Sequence, residues 1–586
     1  MAQGAGVRNE AEWILRRRFP AALLHACAIE GLDPIVIRVL CARRMDTPDK
    51  IRAFLAPEQH PLGDPLEMAD MQAAVERIRR AILAQERICV YGDFDVDGVT
   101  SVALLVSVLR ELGAQAEPHI PDRFSEGYGL NNDSLDALRD SGFTLCVAVD
   151  CGVRSVDEVR RAQERGLDMV IADHHSVPDE LPPAVAVVDP KRDDSAYAFE
   201  DLAGVGVTSQ LCRALCAAMQ DTGAGARAAA GLDDYLDLVA LGTVADIVPL
   251  EGENRTLAAR GLARLRQTAR PGLLALMAQA GVQPGKANSI DIAFRLAPRL
   301  NASGRLEHAQ MSYDLLMART QEQACEIAEA LGRTNDERQR LLEEQLEVAG
   351  AQVAEEPLPL ILIIAGPDYH EGIVGLIASR LREIHYRPTL VLRENEQTAL
   401  ARGSARSIEG LHITRALESC KELFEHYGGH EQAAGFTVRT ENLSALRERL
   451  LAYAEAHLDE EKLTPRLLVD AIVPLSALTP ETVVALGALE PFGKGNPEPT
   501  LAALDVELVD IRAIGQENKH LRLYVRQGNA SLPCIAFRQG ELADEYPKGS
   551  RIDLVFRPSL NEWQGNTTLQ LVVEAIRPHS AEQPGD

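Results

Sequence analysis

The segment Asp93-Phe94-Asp95-Val96-Asp97-Gly98 sets three carboxylates at alternate positions directly after the β-favouring run Ile88 to Tyr91. Like charges held so close call for a cation. Asp-x-Asp-x-Asp-Gly also opens calcium-binding EF-hand loops, but those need a bidentate Glu at the twelfth position, where Leu104 stands, so the EF-hand is rejected. A lone cluster of this kind reads by default as a solvated acidic turn, so further ligands are needed. They stand at the ends of two more apolar runs: Asp150 after Leu145 to Val149, and Asp173-His174-His175 after Met169 to Ala172. Carboxylates with imidazole suit manganese, magnesium or a similar divalent ion. Several acids around one crevice suit two ions about 3.5 to 4 Å apart, the arrangement that clamps an in-line phosphoryl displacement. Any one of these aspartates serves equally well as a helix cap; together they point to a metal centre.

The elements that must bring them together alternate. Strand candidates at Ile88 to Tyr91, Ala114 to Ile120, Thr144 to Val149, Asp168 to Ala172 and Ala184 to Val188 alternate with helix candidates at Val99 to Leu112, Asn132 to Arg139 and Val156 to Arg165. This order predicts a doubly wound parallel sheet, whose carboxyl strand ends form the ligand crevice. Gly92 to Gly98 is then a strand-to-helix loop. Val205 to Met317 reads as mainly helical, interrupted by the Gly/Ala-rich stretch Gly223 to Gly231, which reads as a surface loop. Thr320 to Glu355, with Ile327, Leu331, Leu342 and Leu346 on a sparse apolar stripe, predicts a long connecting helix with one buried face. A second α/β unit opens at Leu360 to Ala365 and runs to about His457. From Leu467 onward the signals are alternating strands, Leu521, Leu523 and Val525 pointing one way and Arg522, Tyr524 and Arg526 the other, so a small β-barrel closes the chain. The expected division is 1–60, an N-terminal segment without a readable motif; 61–318; a connecting helix at 319–356; 357–460; and the barrel at 466–580.

Composition agrees with several packed domains: 586 residues, 46% hydrophobic and 25% charged, are globular values, and exclude disorder, collagen and coiled-coil rods. A net charge of −27 repels nucleic acid globally, so any nucleic-acid site must be a local basic groove. Ten cysteines without a Cys-x-x-Cys pair fit reduced core thiols and a cytoplasmic location. No apolar run is long enough to span a bilayer, and no membrane partner is expected.

Four segments resemble, in order, the motifs of the DHH phosphoesterase family: Gly92 to Gly98, Val149-Asp150-Cys151-Gly152, Asp173-His174-His175 and Thr243-Val244-Ala245-Asp246. Arg299-Leu300-Asn301-Ala302-Ser303-Gly304-Arg305, Gly428-Gly429-His430 and Pro491 to Pro497 resemble segments of that family's single-strand-specific exonuclease branch. The resemblance implies a DHH-type doubly wound domain, a long connecting helix, a DHHA1-type second domain and an OB-like barrel. It further implies two divalent cations, Mn²⁺ or Mg²⁺, held by Asp95, Asp97, Asp150, His174 and Asp246, with Asp150 bridging and with Asp93 and His175 beside them as catalytic groups. Asp246 comes from the resemblance alone. Many relatives carry a His where Tyr91 stands, so weaker affinity for the first ion is expected.

The second domain offers Arg402-Gly403-Ser404-Ala405-Arg406-Ser407 and Gly428-Gly429-His430, read as two Gly-rich loops where backbone, hydroxyl and guanidinium meet a phosphate. With the resemblance, the substrate-binding candidates are Arg123, Arg305, Ser404, Arg406, Gly428, Gly429 and His430, with Arg305, Ser404 and Arg406 as a pocket for a 5'-terminal phosphate. Arg305 bracing the Asn301 loop and Arg406 pairing with Glu409 are the structural alternatives. On the barrel, Arg522, Tyr524 and Arg526, with Phe537, Arg538 and Trp563, form a candidate single-strand face, although Phe537 and Phe556 read more readily as core. The implied activity is metal-dependent 5'-to-3' degradation of single-stranded DNA to mononucleotides in recombination and repair, with a single-strand-binding protein and a helicase as candidate partners. The alternatives are a phosphodiesterase of short oligoribonucleotides or cyclic dinucleotides, and a non-catalytic scaffold. A chain cut after about Pro465 is expected to cleave short strands while gripping long ones less.

Overall fold

The computed structural model describes residues 11–353, 357–563 and 566–580. Two compact units are present: one comprises Ala56–Arg338 with Glu490–Pro497, the other the residues up to Leu55, Gln339–Leu489 and those from Glu498 onward.

The first unit is built on five parallel strands, Arg87–Tyr91, Gln115–His119, Leu145–Val149, Asp168–Ala172 and Ala186–Val188. In chain order they lie 2-1-3-4-5 across the sheet. Successive residues face opposite sides, so each strand feeds two cores. Ile88, Val90, Val147 and Val170 pack with the Val96–Glu111 and Gly204–Ala218 helices. Cys89, Tyr91, Ala148 and Ile171 pack beneath Leu135, Val159 and Ala162 of the Asn132–Asp140 and Val156–Glu164 helices. Apolar residues on both faces give the continuous runs that parallel strands require. The order reverses between the first and third strands, and there the carboxyl ends open a crevice.

Two local expectations fail in this unit. Gly223–Gly231 is a helix: the Thr222 side chain caps it by accepting from the Gly225 amide at 2.9 Å, alanine favours the helical state, and a Cβ on Gly225 would lie 2.0 Å from the Met219 carbonyl. Small residues here serve close packing. The loop after the first strand also ends early, because the Asp95 carboxylate accepts from the amides of Asp97 and Gly98 and starts the helix at Val96.

The Gln321–Ala351 helix runs across the boundary between the units, with Leu331 fully buried and Leu342 and Leu346 half-buried. Beyond it, the second unit contains a sheet of Leu362–Gly366, Thr389–Asn395, Leu400–Arg406, Ala433–Arg439 and Phe424–Gly429, in that spatial order, the first pair parallel and the rest antiparallel. Arg402 to Arg406 and Gly428-Gly429 are therefore strand residues, correcting the loop reading. Gly403 answers a packing demand, since a Cβ there would lie 2.6 Å from the Phe436 ring. The barrel strands Leu501–Ile514, His520–Gln527, Ala530–Ala536, Asn566–Pro578 and Arg551–Trp563 pair in that order and close back on the first. Leu521, Leu523 and Val525 point inward, and Phe556 is core. Phe537 is not: it is 48% exposed, edge-on to His520 just past a strand end.

Of the N-terminal segment, residues 11–55 belong to the barrel's unit and 56–60 to the first unit. Glu12–Leu15 pairs in parallel with Arg466–Val469, Trp13 packs on Val469, Ala502, Val555 and Ala575, and buried Asp470 bonds Arg43 at 2.8 Å. Residues 490–497 join the first unit instead: the Arg255 guanidinium donates to the carbonyls of Glu490 and Pro491 at 2.9 and 3.2 Å, and the Leu250 amide to that of Lys494 at 2.8 Å. Cutting after Pro465 would strip partners from both units, so point variants must replace that truncation.

Candidate metal centre

Local rules place each acidic group at the crevice. The Asp93 Oδ1 accepts from the Phe94 amide at 2.7 Å. Asp97, one residue into the Val96 helix, is gripped by the start of another helix, whose Gly204 and Val205 amides donate to its two oxygens at 2.7 and 2.9 Å. Asp150 follows its strand in the left-handed region, φ 60°, a conformation that aspartate tolerates better than most residues. Gly204 makes room for it, because a Cβ there would lie 2.3 Å from Asp150 Oδ1. Gly242 does the same for Asp97, at 2.7 Å from its Oδ1. Asp246 caps the far end of the Leu236–Ala245 helix.

These groups converge. His174 Nε2 lies 3.2 Å from Asp150 Oδ1, 3.7 Å from Asp246 Oδ2 and 4.0 Å from Asp97 Oδ2. Among the described residues, three sets each place their ligand atoms within 4.8 Å of one another: Asp97-His174-Asp246, Asp150-His174-His175 and Asp93-Asp95-Asp150. Asp150 and His174 each belong to two sets. Despite that 3.2 Å approach, buried Asp150 Oδ1 and the His174 ring nitrogens make no well-oriented hydrogen bond among the described residues. A cation satisfies such orphaned oxygen and nitrogen lone pairs, and this mixed donor set suits a hard divalent ion.

Electrostatics agree. Burial, with Asp95 beside them, pushes Asp93 up to about 8 and Asp97 up to about 7. Burial and the surrounding aspartates raise Asp150 and Asp246 well above the usual carboxylate range. Burial, with His175 adjacent, lowers His174 to about 3 and keeps it a neutral lone-pair donor. Raised carboxyl groups favour the fold at acid pH and lose that contribution progressively from about pH 4, where unfolded carboxyls ionise, up to about 7 to 8, so protein stripped of metal should weaken across this window. Mn²⁺ should accordingly raise the melting temperature by several degrees more at pH 8 than at pH 5.5. Equal gains in thermal melts at the two pH values would contradict a carboxylate cluster that needs a cation.

Asp173 does something different from the ligand role suggested by its motif. Its Oδ1 accepts from His175 Nδ1 at 2.7 Å and from the His174 amide at 2.8 Å, and its Oδ2 from the Val153 amide at 3.0 Å. Burial alone would raise it, but the bond to His175 holds it well below the usual range. In return, and against burial, Asp173 lifts His175 to about 9, with Asp246 and Asp93 contributing. His175 Nε2 faces the Tyr128 hydroxyl at 3.0 Å.

Sequence reasoning missed Tyr128. Its visible signal is the Gly127-Tyr128-Gly129 turn, both glycines at positive φ. Tyr91 turns to the other face of the sheet and donates its hydroxyl to the Gly129 carbonyl at 3.2 Å, so it supports this turn. The Phe94 ring packs edge-on to Tyr128, and the Arg123 guanidinium lies 3.8 Å over Phe94 while donating to the Gly304 carbonyl at 2.7 Å. Asn301 Oδ1 accepts from the Val96 amide at 3.1 Å, which ties the Ala297–Leu306 helix to the acidic loop. Arg305, half-buried, stands near the end of that helix.

In the second unit, Ser404 and Arg406 meet: Arg406 Nη1 donates to Ser404 Oγ at 2.7 Å. Among the described residues Arg406 has no carboxylate partner, so the pairing with Glu409 is absent, and burial, with Arg382 nearby, lowers it to about 10. Gly375, in the first turn of the Val374–His385 helix, lies against both, a Cβ there falling 2.9 Å from Arg406 Nη2 and 3.0 Å from Ser404 Oγ. Two cationic or polar side chains beside a helix start favour an anion. Across the sheet Ser404 aligns with Gly435 and then Gly428, and a Cβ on either glycine would meet nothing within 4 Å, leaving a bare row. Gly429, φ 156°, closes the turn in which the His430 amide donates to the Ala433 carbonyl at 2.8 Å; His430 is exposed. On the barrel Arg522, Tyr524 and Arg526 face outward, but Arg526 is paired with Glu507 at 2.7 Å. The Trp563 side chain lies outside the described residues.

Residues 87–243 match the DHH family, N-terminal domain; 352–456 match the DHHA1 domain; 469–575 match the RecJ OB domain. The chain is similar to the single-stranded-DNA-specific exonucleases RecJ of Bacillus subtilis, 39% identical over 93% of this chain and 68% of that protein, and of Escherichia coli, 33% identical over 87% and 91%. The crystal structure of RecJ in complex with Mn²⁺ from Thermus thermophilus superposes with a TM-score of 0.83 at 28% identity, covering 98% of this chain and 80% of that one. A structure of exonuclease RecJ bound to manganese matches at 32% identity and TM-score 0.57, covering 68% and 97%. With the Haemophilus influenzae exonuclease RecJ, 34% of residues are identical over 93% of this chain and 96% of that protein, so the chain belongs to the RecJ family.

Proposed function

We propose that the chain is a divalent-metal-dependent exonuclease that degrades single-stranded DNA from its 5' end to mononucleotides, in recombination and repair. The observation that carries this reading is the convergence of Asp97, Asp150, His174 and Asp246 around orphaned buried donor atoms in a chain of this family. Asp95, Asp97, Asp150, His174 and Asp246 would hold two divalent cations, Mn²⁺ or Mg²⁺, and Asp150, which belongs to two of the ligand sets, would serve both. Bound there, the ions supply a nucleophilic water and stabilise charge developing on the phosphoryl oxygens.

The chain's own groups do the rest. Asp173 holds a proton at His175 Nδ1, and His175 therefore meets substrate as an imidazolium whose Nε2–H can donate to the phosphate or to the leaving oxygen as the P–O bond breaks. Asp93 flanks the same centre. Arg305, Ser404 and Arg406, with Arg123 and the Gly428-Gly429-His430 turn, bind the strand, and Ser404 with Arg406 takes its 5'-phosphate. Residues 61–318 carry the catalytic centre, 357–460 the Ser404–Arg406 phosphate site, and 466–580 the barrel that grips the strand. The protein acts in the cytoplasm with a single-strand-binding protein and a helicase; among the described residues no helix is long and apolar enough to cross a membrane.

The test is digestion of end-labelled single and double strands with Mn²⁺, Mg²⁺ or EDTA. Label at the 5' end should appear as mononucleotide from single strands only and not in EDTA. Faster turnover of dinucleotides than of long strands would favour a short-oligonucleotide phosphodiesterase. On the barrel, Tyr524→Ala should weaken long-strand binding about tenfold through lost base stacking, and Arg522→Ala should flatten the salt slope. Arg526→Ala should do less, because Glu507 already neutralises that charge. Equal effects of the Arg522 and Arg526 substitutions in salt titrations would count against this face.

A further inference from the structure

Several buried donor atoms away from the carboxylates have nothing to donate to. Arg299 stands on the Ala297–Leu306 helix, and Asn335 and Arg338 stand one turn apart on the Gln321–Ala351 helix. The helices meet here, Thr334 Oγ1 donating to Glu307 Oε1 at 3.3 Å. Asn335 is 1% exposed; its Oδ1 accepts from Arg338 Nη2 at 2.9 Å, but its Nδ2 has no partner. Arg338 Nε and Arg299 Nε are likewise buried and unpartnered. Each guanidinium is held below its ordinary basicity, first by burial, Arg338 also by Arg299 and Arg299 also by Arg295; the exposed Asp336 opposes this only for Arg299.

Two neighbouring cations with buried Nε atoms and a buried amide, with no carboxylate within ion-pair distance among the described residues, are costly unless an anion with several acceptor oxygens completes them. A phosphodiester has that chemistry, and arginine is the side chain that matches it. The location suits a strand being cut nearby. Arg299 is two residues from Asn301, whose side chain holds the Val96 amide of the acidic loop, and Gly304 on the same helix holds Arg123. With a net charge of −27, attraction for a polyanion must come from such local cations.

We propose that Arg299, Asn335 and Arg338 form a binding site for a phosphodiester of the single strand other than the one being cleaved. This rests on the single-strand exonuclease reading, and the experiment separates the two. It measures kcat/KM of the Mn²⁺-loaded protein on a 5'-phosphorylated oligo-dT strand over a range of salt concentrations. Arg299→Gln and Arg338→Gln should each lower kcat/KM about tenfold at low salt, and each should make the plot of its logarithm against log salt shallower by about 0.7, the value for one lost phosphate contact on a single strand. Arg338→Lys should retain the wild-type slope. A mere brace between helices would lower the rate equally at every salt concentration, so an unchanged slope in both glutamine variants overturns the proposal.

Asn335→Asp covers the case in which those variants fail to fold. It adds a carboxylate without changing volume, and should pair with the two arginines, raise the melting temperature and depress kcat/KM with the same shallower slope. Wild-type kcat/KM and slope in Asn335→Asp would also overturn the site. Wild-type protein that leaves single strands intact would instead overturn the functional reading.

Discussion

Asp150→Asn is expected to reduce hydrolysis of single-stranded DNA at least about a thousandfold at saturating Mn²⁺ while leaving the protein folded. Asp150 is 2% exposed, its Oδ1 has no hydrogen-bond partner, and burial together with Asp97, Asp95, Asp246 and Asp93 raises it far above a normal carboxylate. A group in that position destabilises the fold when ionised, and only a cation reverses the balance. Removing the charge should therefore raise the melting temperature measured in EDTA and largely abolish the further rise on adding Mn²⁺. Asparagine is the right substitute because it keeps the volume and tolerates the left-handed backbone at φ 60°. Alanine would add strain of order 1 kcal/mol there and blur the stability readout. Turnover within tenfold of wild type, or an undiminished Mn²⁺ shift, would exclude Asp150 from the metal centre.

Asp150 was legible because a strand end is a strong sequence signal. Val149 closes a run buried on both faces, and the carboxyl end of a parallel strand beside the order reversal can only open into the crevice. The same logic exposed Asp93, Asp95, Asp97 and His174. Asp246 had no such signal. It ends a largely buried, mostly apolar helix, so nothing local separates it from an ordinary capping acid, and its 3.7 Å approach to His174 arises from packing alone.

Asp173 shows the opposite failure. Its motif groups it with its histidine neighbours, yet successive residues past a strand point different ways, and its oxygens turn to amides and to His175 Nδ1. Tyr128 lay hidden because a tyrosine between two glycines reads as a turn, and its bond to His175 spans 47 residues. The glycines misled twice: at Gly223 to Gly231 and at Gly403 they mark close approach of neighbours inside regular elements, where composition suggested loops. The division of the chain was least legible. Parallel pairing of Glu12–Leu15 with Arg466–Val469 joins segments some 450 residues apart, and the short insertion at 490–497 leaves one unit for the other; neither has a local signature.

Arg406→Ala is expected to slow degradation of 5'-phosphorylated single strands by about 10 to 100-fold, and to shrink the preference for them over strands ending in a 5'-hydroxyl. The guanidinium has what end recognition needs. It lies 2.7 Å from Ser404 Oγ on a neighbouring position of the same strand face, lacks a carboxylate partner among the described residues, and sits beside the start of the Val374–His385 helix, where Gly375 leaves the space that a Cβ would fill. Burial and nearby Arg382 pull its basicity down, so an arriving anion relieves a cost already present in the fold. A terminal phosphate carries more charge and one more free oxygen than an internal diester, and a charge-assisted hydrogen bond contributes about 1.5 to 3 kcal/mol, enough to bias a general phosphodiesterase centre toward one end. Arg406→Lys should recover little, because an ammonium cannot present the planar fork that contacts Ser404 and phosphate together. If alanine slowed phosphorylated and hydroxyl-ended strands equally, Arg406 would be bracing the sheet, and the polarity of the enzyme would have to arise elsewhere.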